Sequence, residues 1–121
     1  MSVDLYFGRR YAPGLYNCLH FSVDVWKDLM GQDIQERLEG LLSGRIVGRD
    51  VARRTVEAFR VVEPSPPFTC LVLMQRPRSA PHVGVWIRGR VLHIQNRVGV
   101  QHMPLEIASL GFRKVRFILP S

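Results

Sequence analysis

The sequence has no long apolar run. Its longest stretches are four or five residues, as in Leu71-Val72-Leu73-Met74, whereas a membrane-spanning helix needs about 20. The opening Met1-Ser2-Val3-Asp4-Leu5-Tyr6 lacks the basic start and apolar stretch of a signal peptide, so synthesis in the cytoplasm without a leader is expected. Only two cysteines occur, Cys18 and Cys70, and there is no C-x-x-C. Two cysteines make no disulfide framework, and both are expected as free thiols. Asp and Glu are absent between residues 64 and 105. There is no P-loop, no G-x-G-x-x-G, no internal repeat and no carboxylate pair at catalytic spacing.

What is present fits one domain spanning residues 1–121. A chain of this length buries roughly 65% of its unfolded surface, enough for a core without staples. Hydrophobic residues are 46% and charged residues 22%, ordinary for a globular protein. Lys plus Arg is 17 against 10 Asp plus Glu, a formal charge of +7 carried almost wholly by Arg. That balance favours anionic partners: nucleic acid, a phosphate-rich polymer, an anionic wall or an acidic protein. The arginines are scattered and form no run, so they read as a solvated basic surface, and nucleic acid is not the expected partner.

Residues 1–17 read as a lead-in and loop. Cys18 to Met30 reads as a helix, capped by Asn17 and stopped by Gly31. Leu19, Val23, Trp26 and Met30 form its apolar stripe, and His20, Asp24, Lys27 and Asp28 a narrow wet face. Asp33–Leu42 gives a second short helix and Asp50–Phe59 a third. After Pro64-Ser65-Pro66-Pro67 the period changes. Phe68–Gln75 reads as a central strand. His82–Ile87 and Val91–Gln95 flank Arg88-Gly89-Arg90, a hairpin signal. Val98–Met103 is a further strand, Pro104–Leu110 one or two helical turns, and Arg113–Leu119 a last strand at an edge. Helices first and strands after them give an α+β fold.

Cys18 stands at the first position of the buried helix. There, partial positive charge and unpaired N–H groups favour a thiolate and can bind an oxyanion. Most free cysteines are instead small buried hydrophobes, and Cys70 is read that way. A nucleophilic thiol needs a base. His20 is two residues away, roughly 200° around the helix, and points elsewhere; it reads as a surface histidine. His82 and His93 are better placed. A two-residue loop, Arg88-Gly89 or Gly89-Arg90, puts His82, His93 and Gln95 on one sheet face, whereas a three-residue loop moves His93 to the other. A second polar group would fix the tautomer of His82, as the third member of a triad does. Two histidines without a neighbouring thiolate or carboxylate make a poor zinc set.

A Cys that opens a buried helix, a later strand that starts with His and a next strand with a second polar residue resemble the NlpC/P60 group of papain-like cysteine peptidases. The small versions found in bacteriophage tails are the most similar. The stretches that carry the resemblance are Tyr16-Asn17-Cys18-Leu19-His20-Phe21 with Val25-Trp26, Phe68 to Met74, and His82-Val83-Gly84-Val85-Trp86-Ile87 through His93. His102-Met103-Pro104-Leu105 to Gly111-Phe112 also looks like the tail of such domains. Residues 32–63 then stand as a helical insertion between helix and sheet. The sequence departs from the family in Asn17-Cys18-Leu19-His20, where Asp-Cys-Ser-Gly is common, and in Thr69-Cys70, where Gly-Asp is usual.

The resemblance implies a papain-like fold, with a Cys-bearing helix on an antiparallel sheet of four to six strands. It implies Cys18 as nucleophile, His82 as general base and His93 as the orienting third residue, with Gln95 in reserve. Tyr11, or else Tyr6, would stand near the oxyanion and substrate. The expected activity is cleavage of a peptidoglycan stem-peptide amide, often next to γ-D-glutamate, with no cofactor. The expected setting is a phage tail, with other tail-tip proteins as partners. A tail-tip or tail-assembly component that keeps the fold without catalysis is the alternative.

Overall fold

The computed structural model describes residues 2–42 and 58–121. A 3-10 turn, Val3–Tyr6, leads through a loop to helix α1, Cys18–Met30. Helix α2 spans Gln35–Leu42. Strand β1 is Phe59–Val62, β2 Cys70–Gln75, β3 His82–Ile87, β4 Arg90–Gln95 and β5 Gly99–Met103. A short helix α3, Leu105–Ala108, precedes β6, Lys114–Pro120. The strands form one antiparallel sheet in the order β1-β6-β2-β3-β4-β5. The coarse α+β expectation holds.

Helix α1 has the bounds and caps expected of it. The Asn17 side chain accepts from the N–H of Leu19 and His20, and Gly31 closes the helix at φ 66°, a left-handed conformation glycine adopts at little cost. Phe21, Val25 and Trp26 are buried, whereas Met30, expected in the apolar stripe, is 46% exposed. The α1 side of the sheet buries Leu71, Leu73, Val83, Val85, Leu92 and Ile118. The other side buries Cys70, Val72, Met74, Trp86, Val91 and Phe117, with α3 supplying Ala108. Because β2 and β3 are covered on both faces, they read as continuous apolar runs rather than alternating ones.

Three sequence expectations need correction or placement. The third helix expected over 50–59 falls outside the described residues except at its end. There Phe59 opens strand β1, so residues 59–62 of the expected insertion pair with β6 as a sheet edge. Strand β6 was expected at an edge and is internal, between β1 and β2. Phe117 is buried on one of its faces and Ile118 on the other, and its basic residues, Lys114 and Arg116, lie in its less buried first half.

The β3–β4 hairpin has a two-residue loop. Ile87 pairs with Arg90, and Arg88 and Gly89 take φ of 54° and 72°. Positive φ at both positions is the type I′ geometry that matches strand twist. This is the parity that keeps His82, Gly84 and His93 on one face.

Candidate active site

The N-terminal segment is fastened to α1 before the site begins. Arg9 Nη1 donates to Tyr16 Oη at 2.6 Å and to Asp24 Oδ2 at 2.7 Å, and Tyr16 Oη donates to Asp24 Oδ2 at 2.9 Å. Tyr6 is buried and donates to Asp28 Oδ2 at 2.7 Å. These contacts fix the loop that carries Tyr11 and Asn17. They also give Tyr6 a structural role on α1, away from the cleft described next.

Cys18 begins α1 and lines a cleft of about 500 Å³ together with Tyr11, Asn17, Glu39, Pro81 and His82. One turn along the helix, Ser22 Oγ donates to the buried carbonyl of Val83 at 3.5 Å. That bond holds the start of α1 against the start of β3. Burial pushes the Cys18 thiol up, and this outweighs the N–H groups of Val83, Leu19 and Cys18 itself, which draw it down. The resting group is therefore a thiol at neutral pH. Asn17 consumes the Leu19 and His20 donors. Of the first three helical N–H groups, that of Cys18 is left for an oxyanion.

His20 is not the surface histidine expected from helix geometry. It is half-buried, its Nδ1 accepts from the Asn17 N–H at 3.1 Å, and its ring stacks on Tyr16. It completes a reciprocal cap, with histidine in the place usually held by Glu or Gln. The angular argument against its serving Cys18 stands, and the ring has a local task instead.

The β3–β4 hairpin joins the two remaining histidines. His82 Nε2 and His93 Nδ1 are 2.8 Å apart, with ring centroids at 5.1 Å. Gly84 makes this approach possible. A Cβ there would stand 3.0 Å from the Leu92 carbonyl oxygen and 3.1 Å from the His93 Cβ. On its other side, His82 stacks on Phe112, centroids 5.8 Å apart and planes 17° off parallel. His93 is fully buried, and its Nε2 has no hydrogen-bond partner among the described residues. Burial depresses both rings. The pKa of His82 falls to about 3, with the charges of His93 and Arg76 adding to the effect, and that of His93 falls to about 4. Both imidazoles are neutral at pH 7.

The bond to His93 occupies Nε2 of His82 and leaves Nδ1 as its other ring nitrogen. Among the described residues no hydrogen bond joins the Cys18 thiol to His82. The two face one cleft, His82 from the first residue of its strand. Tyr11 lines the same cleft. Gln95 faces an adjoining hollow of about 220 Å³ that His82, Tyr11, Arg76 and Phe112 also line. His93, rather than Gln95, takes the place next to His82.

Cys70 is fully buried in the core beyond the sheet, its thiol pushed up to about 12 by burial. Among the described residues no group of three His, Cys, Asp or Glu gathers that could hold a metal, and no helix is long and apolar enough to cross a membrane. Sequence reasoning missed Arg76 and Phe112. Arg76 follows β2 directly, at the strand end where loops commonly carry function, and that position was the available signal. Comparison with known protein families, curated proteins and solved structures found no match.

Proposed function

We propose that the chain is a papain-like cysteine hydrolase of the NlpC/P60 type that cleaves an amide of a peptidoglycan stem peptide, carried on a phage tail. The observation that carries this reading is the 2.8 Å contact between His82 Nε2 and the buried His93 Nδ1, with His82 itself lining a cleft that also holds a cysteine at a helix N-terminus. A base needs its far nitrogen fixed so that the near one presents a lone pair. With Nε2–H of His82 donating to His93, Nδ1 is that lone pair.

The steps follow from this tautomer. His82 Nδ1 takes the thiol proton as Cys18 Sγ attacks the carbonyl carbon. The oxyanion that forms is received by the Cys18 N–H and the Tyr11 hydroxyl. His82 then protonates the departing amine, leaving a thioester on Cys18. Water, deprotonated by the same nitrogen, hydrolyses the thioester and frees the thiol.

The test is release of free amino groups from purified peptidoglycan, with Cys18→Ala and His82→Ala as controls. Release that both substitutions abolish supports the reading. Release that survives Cys18→Ala overturns it. One observation favours the alternative, a tail component that binds without catalysis: the Cys18 thiol is held protonated and makes no hydrogen bond to His82. Absence of turnover, with a Cys18 reactivity that His82→Ala does not change, would select that alternative.

A further inference from the structure

The cleft continues past His82 and changes its charge. On the α2 side its wall carries Glu39. Beyond His82 and Tyr11, the hollow is lined by Arg76, Ser79, Gln95 and Asn96. Tyr11 also borders a third hollow, of about 290 Å³, with Arg10 and Arg97. Tyr11 therefore borders all three hollows, and the arginines line the two that Cys18 does not.

Arg76 is held in place without an acid. Its guanidinium lies 4.3 Å from the centroid of the Phe112 ring. It also passes 3.6 Å from where a Cβ on Gly111 would stand. Phe112 in turn stacks on His82. The cation, the ring and the base thus form one stack at the mouth of the hollow. Among the described residues no carboxylate pairs with Arg76, Arg10 or Arg97, and the sequence has no Asp or Glu between residues 64 and 105. A guanidinium ordered by a ring face keeps its N–H fork free for a planar anion. Gln95, Asn96 and Ser79 add neutral donors beside it.

We infer that this hollow is a carboxylate subsite, in which Arg76, stacked on Phe112, receives a free carboxylate of the substrate next to the bond being cut. The inference rests on the proposed hydrolase reading for the identity of the substrate. The hollow itself stands on its own residues. Its polarity also sets direction. A peptide with a carboxylate on one side of the scissile amide lies with that side over Tyr11 and Arg76, because Glu39 repels it from the other end.

The test compares two small ligands by calorimetric titration at low salt: N-acetyl-L-alanyl-D-glutamate capped as its γ-methylamide with the α-carboxylate free, and the same molecule as the α-amide, which carries no carboxylate. The free acid is expected to bind at least tenfold more tightly, with the advantage shrinking as salt rises. Arg76→Gln is expected to bring the two within about twofold, while the amide binds as before. Lys at this position should restore only part of the preference, since it lacks the planar fork. Equal binding of acid and amide to the native protein, or a preference that survives Arg76→Gln, overturns the inference. Failure of the catalytic reading shows differently: the acid preference would persist while Cys18 reactivity ignores His82.

Discussion

His82 and His93 meet diagonally across the β3–β4 hairpin, Nε2 to Nδ1 at 2.8 Å, over a glycine whose missing side chain leaves them room. In the proposed hydrolase, that one relationship makes His82 the base and His93 its support. It depends on the two-residue loop, on Gly84 and on burial that keeps both rings uncharged.

Gly84→Ala is the sharpest probe of the packing. The added methyl would stand 3.0 Å from the Leu92 carbonyl oxygen and from Val91 Cγ1, and backbone cannot swing aside. The expected loss is about 1–3 kcal/mol of stability, seen as a fall of several degrees in Tm. The Cys18 alkylation rate should fall with it in the folded protein. An unchanged Tm would mean the strands separate freely there.

Replacing His93 tests the support. His93→Ala removes the acceptor for His82 Nε2–H and frees the base to turn. Turnover is expected to fall on the order of tenfold or more, with His93→Asn retaining part of it because a carbonyl oxygen can accept the same proton. Folding is checked separately by thermal denaturation. Equal turnover in both variants and the native protein would remove His93 from the site.

The pH dependence of stability has a definite sign. Both histidines titrate lower in the folded protein, at about 3 and about 4, than the 6.5 expected unfolded. Below pH 6.5 the unfolded chain takes up protons that the folded chain refuses. Their contribution is thus complete above 6.5 and is lost as pH falls toward 4 and then 3. Each ring contributes a slope of up to about 1.4 kcal/mol per pH unit. Urea midpoints should drop between pH 7 and pH 5, before the carboxylates titrate, and His93→Gln should flatten the drop. A midpoint that stays constant over that range contradicts the burial of neutral rings.

Asn17→Ala removes a cap that serves two N–H groups. The expected cost is about 1 kcal/mol, read as a lower Tm. Cys18 should also react differently, because the first turn of α1 is what positions it. Loss of stability without any change in Cys18 alkylation would show that the cap supports the helix alone.

Much of this site was legible in the sequence. The parity of the Arg88-Gly89 loop decides which face His93 occupies, and parity can be counted. Helix α1 was legible because Asn17 and Gly31 bracket an apolar period. The edge strand β1 was not, because Phe59-Arg60-Val61-Val62 is too short to show a period and continues a helical pattern upstream. The role of His20 was hidden because histidine is an unusual partner in a reciprocal cap. Arg76 and Phe112 lie 36 residues apart, and only the pairing of β2 with β6 brings their loops together.

The most direct measurement is the rate of Cys18 alkylation by iodoacetamide across pH, in the native protein and in His82→Ala, with Cys70 as internal control. Cys70 should stay unlabelled until denaturant is added, since burial holds its thiol near 12. Cys18 is expected to react at pH 7 at a rate that His82→Ala lowers at least tenfold. Equal rates in the two proteins would show that His82 does not serve Cys18, and would contradict the hydrolase reading.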